Sequence, residues 1–181
     1  GTLKVSNIQT SSGSGTITVG ASGETVDFSN GTITLNSSMK NTPAFHCTMS
    51  GSQTIANATT TILQYDTEVY DTDSAFNTSN YTFTAPSAGK YFFKIATMGI
   101  FCDSASEICI IGVYVNGTQY QKTTHNRSTV TTDTSFFHES IVPLSASDAV
   151  TAKIYHTQGS SRGTDATVAS TFFQGYKLIG A

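Results

Sequence analysis

The fold prediction starts from Asn80-Tyr-Thr-Phe-Thr-Ala-Pro-Ser-Ala-Gly-Lys-Tyr-Phe-Phe-Lys-Ile95. Tyr81 and Phe83 alternate with threonines, which is the period of a strand with one buried face. Pro86-Ser-Ala-Gly89 supplies turn chemistry, because proline restricts one φ angle and glycine accepts a positive one. The next residues, Lys90–Ala96, form a nearly continuous aromatic run that is typical of a strand between two sheets. The stretch therefore predicts a strand, a turn and a second strand.

The composition indicates a β protein with polar, uncharged surfaces. The chain has 181 residues, of which 38% are hydrophobic and 12% are charged, and it contains no tryptophan. Its formal net charge is −3, and no cluster of Lys and Arg occurs, so nucleic-acid binding is disfavoured. No apolar run approaches the roughly 20 residues that a membrane-spanning helix needs. Gly1-Thr-Leu-Lys4 lacks the apolar segment of a signal peptide, and whether Gly1 is the natural first residue stays open.

Apolar and turn residues recur at the spacing of a β-sandwich, and no stretch has a convincing amphipathic helical pattern. Asn116-Gly117 is the clearest turn, since this pair supports the positive φ angles of a tight hairpin. The sequence predicts an all-β fold with strands at Ala44–Met49, Thr59–Tyr65, Asn80–Thr84, Lys90–Met98, Ile108–Val115, Thr118–Lys122, Thr134–Val142, Ala149–His156 and Ala166–Leu178.

The N-terminal part of the chain has a different pattern. Leu3, Val5 and Ile8 alternate with polar residues in a segment too short to bury them, so residues 1–14 are interpreted as an arm that docks on another protein. Residues 15–42 carry a weak repeat of glycine followed by two spaced apolar residues. Such repeats gain stability by stacking, which predicts a short trimeric β stalk. The alternative is a β-meander that lies against the main domain, residues 43–181.

Six motifs of the main domain follow one another in an order that resembles the globular head of the complement first component and the related tumour-necrosis-factor jelly roll. They are Pro43-Ala-Phe45, Ile62-Leu-Gln-Tyr-Asp66, the block Asn80–Phe93, Val113-Tyr-Val-Asn-Gly117, Leu144–Val150, and Thr171-Phe-Phe-Gln-Gly-Tyr-Lys-Leu-Ile179. The resemblance implies a jelly-roll β-sandwich over residues 43–181. Ser147-Asp148 departs from the family's usual Gly-Asp, so this turn is expected to differ.

The N-terminal segment resembles the start of structural and fibre proteins of tailed bacteriophages, in the run Leu3-Lys-Val-Ser-Asn-Ile-Gln-Thr10 followed by Gly15-Thr-Ile-Thr-Val19. Together the two resemblances imply a homotrimer on the virion surface, made in the host cytoplasm and anchored to other virion proteins through Leu3, Val5 and Ile8. A tail fibre with a head for host attachment is the leading hypothesis. A capsid decoration or cement trimer that stabilises the shell is the alternative. A secreted signalling ligand of the complement type is disfavoured by the missing collagen tract.

Consecutive aromatic residues support a trimer independently, because they put apolar side chains on both faces of a strand and one face then needs a partner surface. Tyr91, Phe93, Phe173 and Tyr176 are the candidates for the subunit interface or the adjacent core. Without a strand register the sequence does not tell which face each of them occupies.

The sequence gives no support for an enzyme, since it contains no Gly-x-Ser-x-Gly elbow and a small head offers no long groove for polysaccharide hydrolysis. Four carboxylates, Asp66, Glu68, Asp71 and Asp73, form an acidic cluster. They are weak candidates for calcium, because the spacing of an EF-hand is missing and a solvated acidic loop is the simpler interpretation. No other cofactor is indicated.

Ligand recognition, if the head performs it, is expected in the loops Ser104–Glu107, Thr123–Thr132 and His156–Asp165, since loops on a rigid β scaffold commonly carry binding residues. The candidates that could stack on or hydrogen-bond a host-cell glycan are Tyr120, His125, Arg127, His156 and Arg162. For all of these, ordinary loop residues are the alternative interpretation. The histidines stand singly in different segments, which gives no sign of a metal site or a catalytic site.

The three cysteines are Cys47, Cys102 and Cys109. Cys102 and Cys109 flank a short loop, so a disulfide between them is possible. The alternative, free buried thiols in a chain made in a reducing cytoplasm, stays open.

Overall fold

The computed structural model describes residues 39–99, 101, 104, 106–126, 133–166 and 170–179, together with Ser22, Gly23, Thr25 and Thr34. The chain forms two compact units, Gly1–Leu35 and Asn36–Ala181. The arm at residues 1–14 and most of the stalk at residues 15–42 lie outside the described residues, so these predicted segments and their boundaries stay predictions. The second unit is the head.

The described part of the head is all β, as predicted, and none of its residues forms an α-helix. Its strands are β1 (Ala44–Thr48), β2 (Thr54–Ile55), β3 (Thr61–Ile62), β4 (Thr67–Asp71), β5 (Phe76–Asn77), β6 (Thr82–Thr84), β7 (Gly89–Gly99), β8 (Cys109–Val115), β9 (Thr118–His125), β10 (Thr134–Leu144), β11 (Ala149–His156), β12 (Arg162–Gly163) and β13 (Phe172–Lys177).

Two antiparallel sheets face each other. The five-stranded sheet has the order β10-β7-β13-β1-β4. The six-stranded sheet has the order β5-β6-β11-β8-β9, with β3 also paired to β11. The short strands β12 and β2 form a separate pair. Strands that are adjacent in sequence often lie in different sheets, which is the connectivity of a jelly roll.

Side chains from the inner faces of both sheets fill the core. The largest fully buried side chains are Tyr65, Tyr91, Phe45, Phe83, Phe93, Phe101, Phe136, Phe173, Ile55, Leu63, Ile95 and Ile111. Phe45 lies at the centre of an aromatic group and has its ring centroid 5.0 Å from those of Phe76 and Phe173. Aromatic pairs at such distances add about 0.5–1.5 kcal/mol each beyond the area that they bury.

Gly175 of β13 makes this arrangement possible. A Cβ atom at this position would lie 2.7 Å from both the carbonyl oxygen of Phe92 and a ring carbon of Phe93. The strand can therefore approach β7 closely only because it carries glycine here. Gly175 lies within Thr171-Phe-Phe-Gln-Gly-Tyr-Lys-Leu-Ile179, the last of the six motifs described above.

The predicted hairpin turn at Asn116-Gly117 is present, and both residues have positive φ angles, 49° and 82°. It joins β8 to β9. At the turn between β10 and β11, Ser147 adopts a φ of 72°. Serine thus takes the left-handed conformation that a glycine would adopt more easily, which is how this turn differs from the expected Gly-Asp pattern.

Several strand predictions need correction. Thr59–Tyr65 contains only the two-residue strand β3, and the rest of the segment is irregular. The C-terminal strand begins at Phe172 rather than at Ala166. The expected acidic loop is largely the edge strand β4. Its side chains are mostly exposed, so it lacks the buried alternation by which a strand is recognised in a sequence.

The two ends of the sandwich differ. At one end β1 begins, Ala44 pairs with Tyr176, and the backbone N–H of Lys177 donates to Pro43. We call the opposite end the loop end. There β8 begins at Cys109, whose partners are His125 at the end of β9 and His156 at the end of β11. The strand ends that border the predicted recognition loops therefore meet opposite the point where the polypeptide enters the sandwich.

Candidate functional site

The side of the five-stranded sheet that points away from the core is here called the outer face. Its residues are those that alternate with the buried ones along each strand, and they form rows across the sheet. One row contains Ile141, Phe92, Tyr176 and Ala44; the next contains Glu139, Lys94, Gln174, His46 and Tyr70; the third contains Phe137, Ala96, Phe172 and Thr48.

The outer face is markedly apolar for a surface. Phe137 and Ile141 are 50% and 52% exposed, and Tyr176 is 37% exposed. The rings of Phe92 and Tyr176 have centroids 5.3 Å apart, so they form one continuous aromatic patch. Contiguous apolar patches on a protein surface commonly mark interaction sites. The arrangement is chemically suited to binding another apolar surface.

A polar row crosses the middle of this face. Lys94 Nζ lies 3.7 Å from Glu139 Oε2, and both side chains are partly exposed. Beside them, the His46 ring lies between Phe172 and Tyr70, with centroid distances of 5.5 and 6.0 Å. Burial lowers the pKa of His46 below its ordinary value. A polar row within an apolar face restricts how a second surface can align with it.

Of the four residues predicted for the subunit interface or the adjacent core, three lie in the core and one lies on the outer face. Tyr91, Phe93 and Phe173 are fully buried between the sheets, and the Tyr91 hydroxyl donates to the backbone carbonyl of Ser87. Only Tyr176 lies on the outer face. The pairing of β7 with β13 sets this register.

The outer face also includes residues that the sequence interpretation did not single out. Phe92, Phe137, Ile141 and Phe172 each neighbour a buried residue on the same strand and point to the opposite side. The pair Phe136-Phe137 within a predicted strand indicates an aromatic residue on the outer face, since two adjacent aromatic residues cannot both point inward.

Two of the four candidate calcium ligands, Asp66 and Asp71, accept hydrogen bonds from other parts of the chain, and the backbone N–H of Asp73 also donates to Asp71. The carboxylate of Asp66 accepts from both the backbone N–H and the hydroxyl of Ser50. Asp71 accepts from the backbone N–H of Phe76 at 2.7 Å, and Glu68 lies on β4. Among the described residues, no group of three His, Cys, Asp or Glu side chains is placed to hold a metal ion. The carboxylates of Asp66 and Asp71 therefore serve as hydrogen-bond acceptors for neighbouring loop segments.

The predicted ligand residues fall in different places. Tyr120 is 43% exposed and lies at a β-bulge in β9, where Gln119 and Gln121 pair with consecutive residues of β8. His125 ends β9 at the loop end, and Arg127 lies outside the described residues. Bulges commonly turn a side chain away from the sheet, so Tyr120 is accessible to a ligand.

The prediction that His156 is a ligand-binding candidate needs correction, because the structure places this residue in the interior with no exposed surface. It is the last residue of β11 and points inward with the alternate positions of that strand. Its Nε2 lies 3.2 Å from the carbonyl oxygen of Ile55. Arg162, on β12, donates from Nε to the side-chain oxygen of Gln158 at 2.6 Å. His156 is thus a structural residue, and Arg162 is partly engaged within the chain.

Cys47 is a buried free thiol on β1. Burial, together with the negative charges of Glu68 and Asp71, raises its pKa to about 12. Cys102 lies outside the described residues, so the possible disulfide with Cys109 stays open.

Comparison with solved structures gives the fold. A crystal structure of murine APRIL has a TM-score of 0.56 and 13% sequence identity, covering 75% of this chain and 98% of that one. The globular domain of zebrafish complement 1qA has a TM-score of 0.50 and 14% identity, over 75% and 97% of the two chains. Eiger TNF from S. frugiperda has a TM-score of 0.53 and 15% identity, over 76% and 93%.

The head is a tumour-necrosis-factor-like jelly roll. This confirms the fold that the six sequence motifs implied. At these identities the likeness establishes the fold alone. No protein-family model matches the chain, and no curated protein matches it. In the part of the chain that the structure describes, no helix has the length and apolar character to cross a membrane.

Proposed function

We propose that this jelly roll is a non-enzymatic subunit of a homotrimer that assembles through the outer face of the five-stranded sheet. The observation that carries the proposal is the exposed apolar surface of that face, which consists of Phe92, Ile141 and Tyr176 on one side of the polar row and Phe137 on the other. Covering such a patch with an equivalent surface removes apolar area from water, which stabilises the assembly by about 25 cal/mol per Å².

The proposed number of three subunits rests on the resemblance of the head to the complement and tumour-necrosis-factor jelly rolls. The polar row with Lys94, Glu139 and His46 supports a specific alignment, because a mismatched copy would bury the Lys94–Glu139 ion pair and the His46 ring against apolar side chains. The assembly is tested by the mass of the chain in solution.

The proposed role of the trimer is attachment of a bacteriophage to its host. Within the head, β1 begins at the end opposite the loop end, and loops on a rigid β scaffold commonly carry recognition. Of the described candidates for contact with a host glycan, His125 lies at the loop end, whereas Tyr120 lies near the Asn116-Gly117 hairpin at the opposite end. The virion location rests on the N-terminal segment's resemblance to bacteriophage fibre proteins.

The location is tested by deleting residues 1–14 and imaging particles by electron microscopy. We expect the deletion to remove the head density from the virion and to abolish adsorption while the shells stay intact. Shells that rupture at a lower temperature after the deletion would instead identify a capsid decoration protein. Particles that keep the density would contradict anchoring through residues 1–14.

Ligand binding is tested separately by screening the complete chain, with and without His125→Ala, on immobilised host polysaccharides. We expect binding that the substitution weakens and no release of sugar. Measurable hydrolysis would overturn the non-enzymatic assignment, and binding that is unchanged by the substitution would move the site away from His125.

A further inference from the structure

Two histidine side chains add contacts between strands at the loop end. His156 at the end of β11 connects to β2 through the carbonyl oxygen of Ile55, 3.2 Å from Nε2. His138 of β10 connects to β9 through Thr123, whose hydroxyl lies 3.0 Å from Nδ1. Neither connection is part of a strand ladder. The His156 contact adds to a backbone hydrogen bond from Ala58 to the carbonyl oxygen of His156, and the His138 contact joins strands of different sheets.

The surroundings of His156 require a neutral ring. Because Nε2 faces a carbonyl oxygen, it must carry the hydrogen, and Nδ1 is then the acceptor for the backbone N–H of Gln158 at 3.4 Å. A proton on Nδ1 would face that N–H and break the contact. The ring also packs on Phe101, with centroids 5.3 Å apart, and it has no exposed surface. Protonation therefore favours a state in which this contact is open.

The surroundings of His138 also disfavour a charged ring. It is 5% exposed and lies on the inner side of β10, and its Nε2 has no hydrogen-bond partner among the described residues. The neutral ring leaves one nitrogen unsatisfied, whereas a charged ring would place an unpaired N–H and a net charge between the sheets. Opening the contact between β9 and β10 would hydrate this charge.

The two histidines are coupled through aromatic packing. Phe101 contacts the His156 ring and, at 5.6 Å between centroids, the ring of Phe136. Phe136 is two positions before His138 on the same face of β10. A displacement of Phe101 would therefore loosen both sides of the loop end.

We propose that the loop end is an acid-sensitive latch, which opens when His156 and His138 become protonated while the opposite end of the sandwich stays closed. This goes beyond the proposed attachment function and is contained within one chain, so it does not depend on the trimer. Histidine is the side chain that ordinarily changes charge in mildly acidic solution.

The direction of the pH dependence follows from burial, which lowers the pKa of both histidines below their ordinary value of 6.5. For His156, a hydrogen bond to Ile55 and the charge of Glu107 oppose this effect, and Arg162 reinforces it. For His138, Glu139 opposes it. The open state binds protons more readily than the closed state, so the latch is stable above pH 6.5 and weakens as the pH falls below this value.

Amide hydrogen exchange of the complete chain tests the latch at its two ends. Ala58, Thr157 and Thr164 donate backbone hydrogen bonds at the loop end. Ala85, Asn116 and Leu178 do so at the opposite end. Between pH 7.5 and 5.5, after correction for intrinsic exchange rates, we expect protection at the loop end to fall by at most about tenfold for each histidine that controls opening. Protection at the opposite end should stay the same.

Two results would overturn the latch in the unmodified chain: protection at the loop end that does not change with pH, or an equal loss at both ends, which indicates global acid unfolding. His156→Gln adds a second test, because glutamine can donate to Ile55 but does not titrate. This variant should lose the part of the pH dependence that His156 contributes and keep the part that His138 contributes, whereas His46→Gln on the outer face should keep all of it. A pH dependence that persists unchanged in a His138→Gln, His156→Gln double variant would also contradict the proposal.

Discussion

Phe92 and Tyr176 are register partners on β7 and β13, and their rings lie 5.3 Å apart on the outer face of the five-stranded sheet. The residues next to Phe92 in sequence, Tyr91 and Phe93, are fully buried on the opposite side of the same strand. β7 thus has aromatic rings on both faces, but the chain by itself covers only one of them. The proposed assembly through the outer face would cover the second set of rings, since apolar area gains stability only when it leaves water.

Phe137→Glu is predicted to dissociate the trimer. The substitution places a carboxylate in the covered surface, where it has no partner and loses its hydration. Ile62→Glu is the matched control, because Ile62 is an exposed apolar residue of the six-stranded sheet. Light scattering at micromolar concentration should give a monomer for the first variant and a trimer for the second. A trimer that survives Phe137→Glu would place the interface elsewhere.

The effects of Phe173→Ala and Phe172→Ala on stability distinguish a core position from a position on the outer face. Phe173 is fully buried, so its truncation should lower the free energy of unfolding by about 3–5 kcal/mol. Phe172 points outward and should affect folding much less. Urea denaturation of both changes in the Phe137→Glu background removes the contribution of assembly. Equal losses in the two variants would contradict the register of β13.

Ser147→Gly is predicted to stabilise the head by about 0.5 kcal/mol, because glycine adopts the observed φ of 72° without the steric cost that a Cβ atom brings. The carboxylate of Asp148 keeps its acceptor role in this turn, since it receives hydrogen bonds from Asn116 and from the backbone of Ser145. Ala146→Gly, at a neighbouring position without a positive φ, should instead lower stability. Thermal unfolding of the two variants should show shifts of opposite sign.

Cys47 is predicted to resist alkylation in the folded protein. Its pKa of about 12 leaves almost no thiolate at pH 8, and its side chain is buried. Mass spectrometry after iodoacetamide treatment should show Cys47 modified only when urea is present. Rapid modification at pH 8 without denaturant would mean that β1 opens readily from its neighbours β4 and β13.

The sequence predicted the strands that have a buried alternation. The predicted bounds of β11 match the observed ones, because Val150, Ala152 and Ile154 alternate with polar or small residues and turn residues precede the strand. The strand β4 was missed because its residues are mostly exposed at the edge of the sheet. Two-residue strands such as β2 and β12 are too short to show any period.

The candidate site was harder to predict than the fold. Tyr91, Phe92 and Phe93 are consecutive aromatic residues, so the sequence did not tell which of them faces outward until the pairing of β7 with β10 and β13 was known. His156 was expected at the surface because a polar segment follows it. The structure continues β11 through His156 and turns its ring inward, a consequence of strand register that residue types do not show.

The mass of the complete chain at micromolar concentration and pH 7.5, measured by light scattering after size exclusion, tests the central proposal most directly. Assembly through the outer face predicts a single species of about three times the 19.1 kDa chain mass. A stable monomer or a stable dimer under these conditions would contradict the trimer.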